Sequence, residues 1–141
     1  MKYFTTVATL VALPLGSFAV EATYDPVYDN RKGSMRSVAC SDGSNGLIRH
    51  GYNTYGDLPT FPNIGGAQAV AGWNSPKCGS CWNITYTNPQ DVTRSIVITA
   101  IDTASGGFNL ATPAMRRLAG GETPGRIMVT SQEVDASLCG L

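Results

Sequence analysis

Asp102 has the most suggestive setting of any titratable residue in this sequence. It follows the almost continuously apolar run Ser95-Ile-Val-Ile-Thr-Ala-Ile101 and precedes Thr103-Ala104-Ser105-Gly106-Gly107. A carboxylate at the end of a buried strand, beside a flexible loop, is placed to bind a ligand and equally placed to cap the turn it opens. Glycoside hydrolysis would require a second carboxyl group across a groove, one of the pair with a raised pKa. The chain has ten Asp and Glu residues, but most of the others stand beside Gly, Ser, Asn or Pro, where turns and caps explain them.

Other chemistries find less support. His50 is the sole histidine, and without a Gly-x-Ser-x-Gly elbow a nucleophilic triad is not expected. Gly65-Gly66 lacks the following Lys of a phosphate-cradling loop. Cys78-Gly79-Ser80-Cys81 has the spacing of a redox or zinc pair, but zinc would want four ligands and a redox site a helix N-terminus under the first thiol. No cofactor and no metal are expected. Ten Lys+Arg balance ten Asp+Glu, with only 14% charged residues, so no field exists to hold nucleic acid or an anionic membrane.

The elements that must position Asp102 are mostly strands. Residues 1–19 are read as a secretory signal: Lys2 supplies the positive start, residues 7–15 an apolar core, and Ser17-Phe18-Ala19 the small residues before cleavage. The run is shorter than the roughly 20 residues of a membrane span, and Pro14 interrupts it. Residues 20–141 then form one domain released outside the cell, with no membrane insertion. Trp82, Ile84 and Tyr86 alternate with Asn83, Thr85 and Thr87 in a one-sided strand. Residues 95–101 suit a central strand covered on both faces, and 126–134 a third. Weaker strands are expected at 37–40 and 47–49. One helix should run from Pro113 to Ala119, with Thr112 as N-cap and Gly120 past its end. A second helical turn is expected near Gly66–Ala71. Five or six short strands can close a small barrel, giving a mainly β domain with short helices.

In an oxidising compartment the four cysteines, Cys40, Cys78, Cys81 and Cys139, predict two disulfides. One of the three connectivities spends a bridge on the 78–81 loop; the other two each constrain the unfolded chain by about 4 kcal/mol per bridge and stay equivalent at this level. Asn83-Ile84-Thr85 is an N-glycosylation sequon on the outward face of its strand, which permits a glycan on Asn83.

Several runs in order resemble one family: Tyr24-Asp-Pro-Val-Tyr-Asp29, Cys40-Ser-Asp-Gly43 with Asn45-Gly46-Leu47, Phe61-Pro-Asn-Ile-Gly-Gly66, Ala71-Gly-Trp-Asn-Ser-Pro76, Cys78-Gly-Ser-Cys-Trp82, Ile101-Asp102 and Gly106-Gly-Phe-Asn109. Residues 20–141 are similar throughout to the cerato-platanins, small secreted fungal proteins. The resemblance implies a six-stranded double-ψ β-barrel of expansin-like fold, with bridges Cys40–Cys78 and Cys81–Cys139. It further implies a place in the fungal wall or culture medium, binding of chitin or N-acetylglucosamine oligomers in a shallow groove, and self-assembly at interfaces. Perception by plants as a defence elicitor, through a host surface receptor, is part of the same expectation.

The resemblance also bears on catalysis. Expansin-like barrels carry an Asp where this chain has Asn109, and an amide has no proton to give a leaving glycosidic oxygen. The preferred expectation is a non-catalytic binding module, with Asp102 and Asn109 in the groove and Ser41, Asp42 and Asn45 as further sugar contacts or as plain turn residues. The rival is a weak expansin-like or glucan-hydrolysing enzyme on the same barrel. Trp82 is expected in the core, Trp73 is a candidate stacking platform, and Tyr52 and Tyr55 are expected to be exposed.

Overall fold

A computed structural model describes residues 18–141. The expected signal segment lies outside the described residues except for Phe18 and Ala19, which open strand β1 (Phe18–Tyr24). Five further strands follow: β2 (Ile64–Ala67), β3 (Cys81–Thr87), β4 (Thr93–Thr103), β5 (Gly107–Leu110) and β6 (Ile127–Val134). They close in the order β1-β5-β2-β4-β3-β6, with β1–β5 and β2–β4 parallel and the other pairs antiparallel. The expected six-stranded barrel is therefore present, as a mixed sheet without free edges.

The three strands with clear patterns form as expected. In β4 the four residues Ile98, Thr99, Ala100 and Ile101 are fully buried. The barrel interior takes one face, and the other is covered by loops that bond to it: Cys40 N–H donates to Ile101 O, and Gly79 N–H to Ala100 O. Ile84 of β3 and Val129 of β6 complete the buried rows with Ala22, Phe108 and Leu110. Trp82 is half-buried and packs edge-on against Phe108, ring centroids 5.7 Å apart.

The two weak strands are not strands. Residues around 37–40 and 47–49 lie in 3-10 turns, Met35–Ser37 and Ile48–His50, and the bends between them. Ser34 starts the first by accepting from Arg36 N–H, and Gly51 closes the second at φ 91°. Their apolar residues, Val38 and Leu47, are buried from loops, which mimics strand alternation without a partner strand. The helical turn expected near Gly66–Ala71 is instead the end of β2 and a turn. Gly65 and Gly66 are required there because a Cβ on either would strike backbone, Asn109 O and Thr103 O respectively.

Helix α1 (Thr112–Ala119) buries Ala114, Met115 and Leu118, and Gly120 ends it at φ 75°. Its cap differs from expectation. Ala111 holds the N-cap position without a side-chain bond, and the Thr112 N–H donates to Asp29 Oδ1 at 2.7 Å. Thr112 Oγ1 is left buried and unpartnered. The cap comes from a carboxylate 83 residues away, beyond the reach of any local pattern. Tyr55 also departs from expectation: it is 2% exposed, its hydroxyl is 2.9 Å from Ser37 Oγ, and its ring sits against Tyr28. Tyr52 is half-buried.

The disulfides are Cys40–Cys78 and Cys81–Cys139, the pairing implied by the resemblance. The first joins the loop after residue 39 to the loop before β3. The second holds the C-terminal 3-10 turn (Ala136–Cys139) against the start of β3.

Candidate functional site

Strand register places Asp102 and Asn109. Gly66 pairs with Asp102 of β4 on one side and with Asn109 of β5 on the other, and Asn109 pairs in turn with Thr23 of β1. Asp102 and Asn109 are thus two strand spacings apart, about 10 Å, at one end of the barrel. Gly66 stands between them in the sheet, and their side chains have different work.

The Asp102 carboxylate is a strut. Its Oδ1 accepts the Ala39 N–H at 3.1 Å and the Thr103 N–H at 2.9 Å, and its Oδ2 accepts the Tyr28 hydroxyl at 2.9 Å. It therefore caps its own turn and ties the loop before Cys40 to β4. Burial, and then the hydrogen bond to Asp102, push the Tyr28 phenol well above its usual pKa.

Asn109 is held by Thr23, whose hydroxyl donates to Asn109 Oδ1 at 3.0 Å. These two residues, with Thr103, Ala104 and Ser105, line an open depression of about 370 Å³. Every lining side chain is an amide, a hydroxyl or a methyl, so the depression offers hydrogen bonds without net charge. Thr23, Thr103 and Ser105 join Asn109 in this lining without being site candidates by sequence. Residues 103–107 read as a loop from sequence; Thr23 gives no such signal, because the alternation of β1 (Phe18, Val20, Ala22, Tyr24) overlaps the end of the expected signal segment.

No carboxylate stands in register with Asp102. Glu21 and Asp25 lie two residues to either side of Thr23, three strands from Asp102, and each has a partner. Glu21 pairs with Arg126 at 3.5 Å, and Asp25 Oδ1 accepts the Val27 N–H at 2.9 Å. The Asp25 charge reaches the Tyr28 phenol that Asp102 bonds, but the Asp25 carboxylate is spent as the N-cap of the Pro26–Tyr28 turn.

Ser41, Asp42 and Asn45 are gathered elsewhere, on the loop around Trp73. The Trp73 Nε1–H donates to Asp42 Oδ1 at 2.7 Å, and Ser41 Oγ donates to the same oxygen at 3.3 Å. Asn74, at φ 60°, accepts the Asn45 N–H on Oδ1 and the Asn45 Nδ2–H on its carbonyl, both at 2.9 Å. They are tied to the first group through the start of their loop, where the Ala39 N–H donates to the Asp102 carboxylate and the Cys40 N–H to Ile101 O. The indole hydrogen bond holds the Asp42 carboxyl below its usual range. Asn83 lies in β3 between Val97 and Gln132 and is half-buried.

Among the described residues no three His, Cys, Asp or Glu side chains converge as metal ligands, and no helix is long and apolar enough to cross a membrane.

Comparison with known proteins gives a consistent result. The family model described as Cerato-platanin matches residues 20–141. The chain is 47% identical over 132 residues to the heat-stable 19 kDa antigen of Coccidioides posadasii, covering 92% of this chain and 86% of that protein. The crystal structure of cerato-platanin 2 from M. perniciosa superposes with a TM-score of 0.84 at 49% identity, covering 88% of this chain and 100% of that one. The solution structure of the fungal elicitor cerato-platanin superposes with a TM-score of 0.74 at 44% identity, covering 85% and 96%.

Proposed function

The chain belongs to the cerato-platanin family, and from that premise we propose that it is a secreted, non-catalytic protein that binds chitin or N-acetylglucosamine oligomers at the fungal wall or in the medium. The observation that carries this reading is the depression beside Asn109, built from Thr23, Thr103, Ala104, Ser105 and Asn109. An uncharged lining of hydroxyls and one amide complements a neutral sugar bearing hydroxyl and N-acetyl groups, and the open shape suits an internal segment of a long chain. Asp102 is not among the lining residues; its hydrogen bonds fix the strand end from which the loop of Thr103, Ala104 and Ser105 departs.

The commitment of the Asp102 carboxylate to three hydrogen bonds, from Tyr28, Ala39 and Thr103, supports binding over hydrolysis. Cleavage after Ala19 leaves β1 beginning at Val20, still paired with β6 and β5. Two disulfides suit an oxidising exterior. Perception by plants as an elicitor, through a host surface receptor, and self-assembly at interfaces belong to the same reading. They are supported by kinship with a protein described as a fungal elicitor. Asn83, on a strand face with an intact sequon, is the proposed glycan acceptor.

Backbone-amide NMR during titration with chitohexaose tests the site. Shifts clustered at Thr23 and residues 102–109 are expected; shifts absent from that cluster, or spread without saturation, would overturn the assignment.

A further inference from the structure

Trp73 is the most exposed large apolar side chain of the described residues, at 63%, against 0–8% for the core. A tryptophan left in water forgoes about 1.5–3 kcal/mol of burial, and such a residue ordinarily collapses onto its neighbours or moves freely. Here it does neither. Its indole N–H is fixed to Asp42 Oδ1 at 2.7 Å, and its loop is clamped by the paired Asn45–Asn74 bonds. Gly43, at φ 88°, lies against the indole: a Cβ there would be 3.0 Å from Trp73 Cζ2 and 2.7 Å from Asn74 Oδ1. The Cys40–Cys78 bridge joins the two loops that supply these residues. Glycine at 43 gives the indole a seat, and the carboxylate sets its rotation.

We propose that Trp73 is a preorganised stacking platform for a pyranose ring, forming a second carbohydrate subsite with Asp42 separate from the depression at Asn109. The chemistry of the surroundings selects the occupant. Asp42, which holds the indole, accepts also from Ser41, and the adjoining Asn74 is bonded by Ser44 and Asn45, so the groups that fix the platform are polar, unlike the apolar rim that a protein hot spot uses to exclude water. A ligand for this surface must offer one apolar face rimmed by hydrogen-bond donors. A sugar ring with axial C–H groups and equatorial hydroxyls has that shape, and the Asp42 carboxylate keeps an oxygen, Oδ2, to accept from a hydroxyl. The subsite extends the sugar-binding reading given above, but it stands on different residues.

The test is titration of the full secreted protein with chitohexaose, following the two indole Nε1–H resonances together with the backbone amides. The Trp73 indole signal should shift in saturable fashion while that of Trp82, whose Nε1–H donates to Ser80 Oγ, stays in place. Trp73→Ala should weaken binding at least about tenfold, with Trp73→Phe retaining most of the affinity. Trp73 is exposed, so both variants should melt with the wild type. Asp42→Ala should weaken binding and lose the indole shift position, and Asp42→Asn, which keeps an acceptor for the indole, should restore that position. A static Trp73 indole with unchanged affinity in Trp73→Ala overturns the platform, whatever the amides at 102–109 do. A moving indole with static amides at 102–109 upholds the platform and removes the assignment to Asn109.

Discussion

Replacing Asp102 separates its structural duty from any catalytic one. In Asp102→Ala the Tyr28 hydroxyl and the Ala39 and Thr103 amides all lose their acceptor. At about 1 kcal/mol net for each bond, the variant should be less stable by about 3 kcal/mol. For a domain of this size that lowers the melting temperature by about 10 °C. Asp102→Asn keeps Oδ1 for the two amides and sets an amide opposite a phenol that can rotate to accept, so the loss should be only about 1 kcal/mol, from the missing charge. Urea unfolding of the three proteins at neutral pH reads these differences directly. Tyr28→Phe in each background completes a double-mutant cycle, with a coupling of about 1 kcal/mol between Tyr28 and Asp102. An Asp102→Ala protein within about 0.5 kcal/mol of wild type would refute the strut, since the three bonds could not then be holding the loop.

Other expectations follow from the same geometry. The Tyr28 phenol titrates higher in the folded chain than in the unfolded one, so its contribution is intact below the ordinary tyrosine pKa of about 10 and is lost as pH rises beyond it. Unfolding measured from pH 9 upward should show a decline that Tyr28→Phe flattens; an equal decline in the variant would contradict the assignment. Converting either cysteine pair to serine should cost about 4 kcal/mol by loop entropy, somewhat more for Cys81–Cys139, whose separation is 58 against 38. Melting curves of the two double variants check this, and a loss under about 1 kcal/mol would contradict it. Gly107→Ala should destabilise the β1–β5 pair by about 2 kcal/mol or more, because Gly107 sits at φ 150° and a Cβ would strike the Glu21 carbonyl. Denaturant titration reads this loss, and a variant as stable as wild type would refute it.

What could be read in the sequence follows from where the energy lies. β3, β4 and β6 are long and carry β-branched or alternating residues, so burial alone writes their pattern. β2 and β5 are four residues each, and β2 is rich in glycine because strands cross closely there; close approach removes the side chains that would announce a strand. β1 was partly absorbed into the signal segment, since its small and apolar residues serve either purpose. The Asp29 cap on α1 and the Glu21–Arg126 pair depend on contacts distant in sequence, which no local motif encodes. At the site, Asp102 was legible because a lone carboxylate ended an apolar run, and Asn109 because it stood where related barrels carry an acid. Ser41, Asp42 and Asn45 were legible as a polar cluster, but their attachment to Trp73 needed the Cys40–Cys78 bridge to bring the two loops together.

The proposed activity is the binding of chitin oligomers without cutting them. Calorimetric titration of the secreted protein with chitohexaose, followed by mass analysis of the same samples after long incubation, tests both halves at once. Saturable binding, weakened about tenfold in Asn109→Ala, and a hexamer recovered at full length are the expected results. Absence of binding, or the appearance of shorter oligomers with the wild-type protein, would contradict the proposed activity.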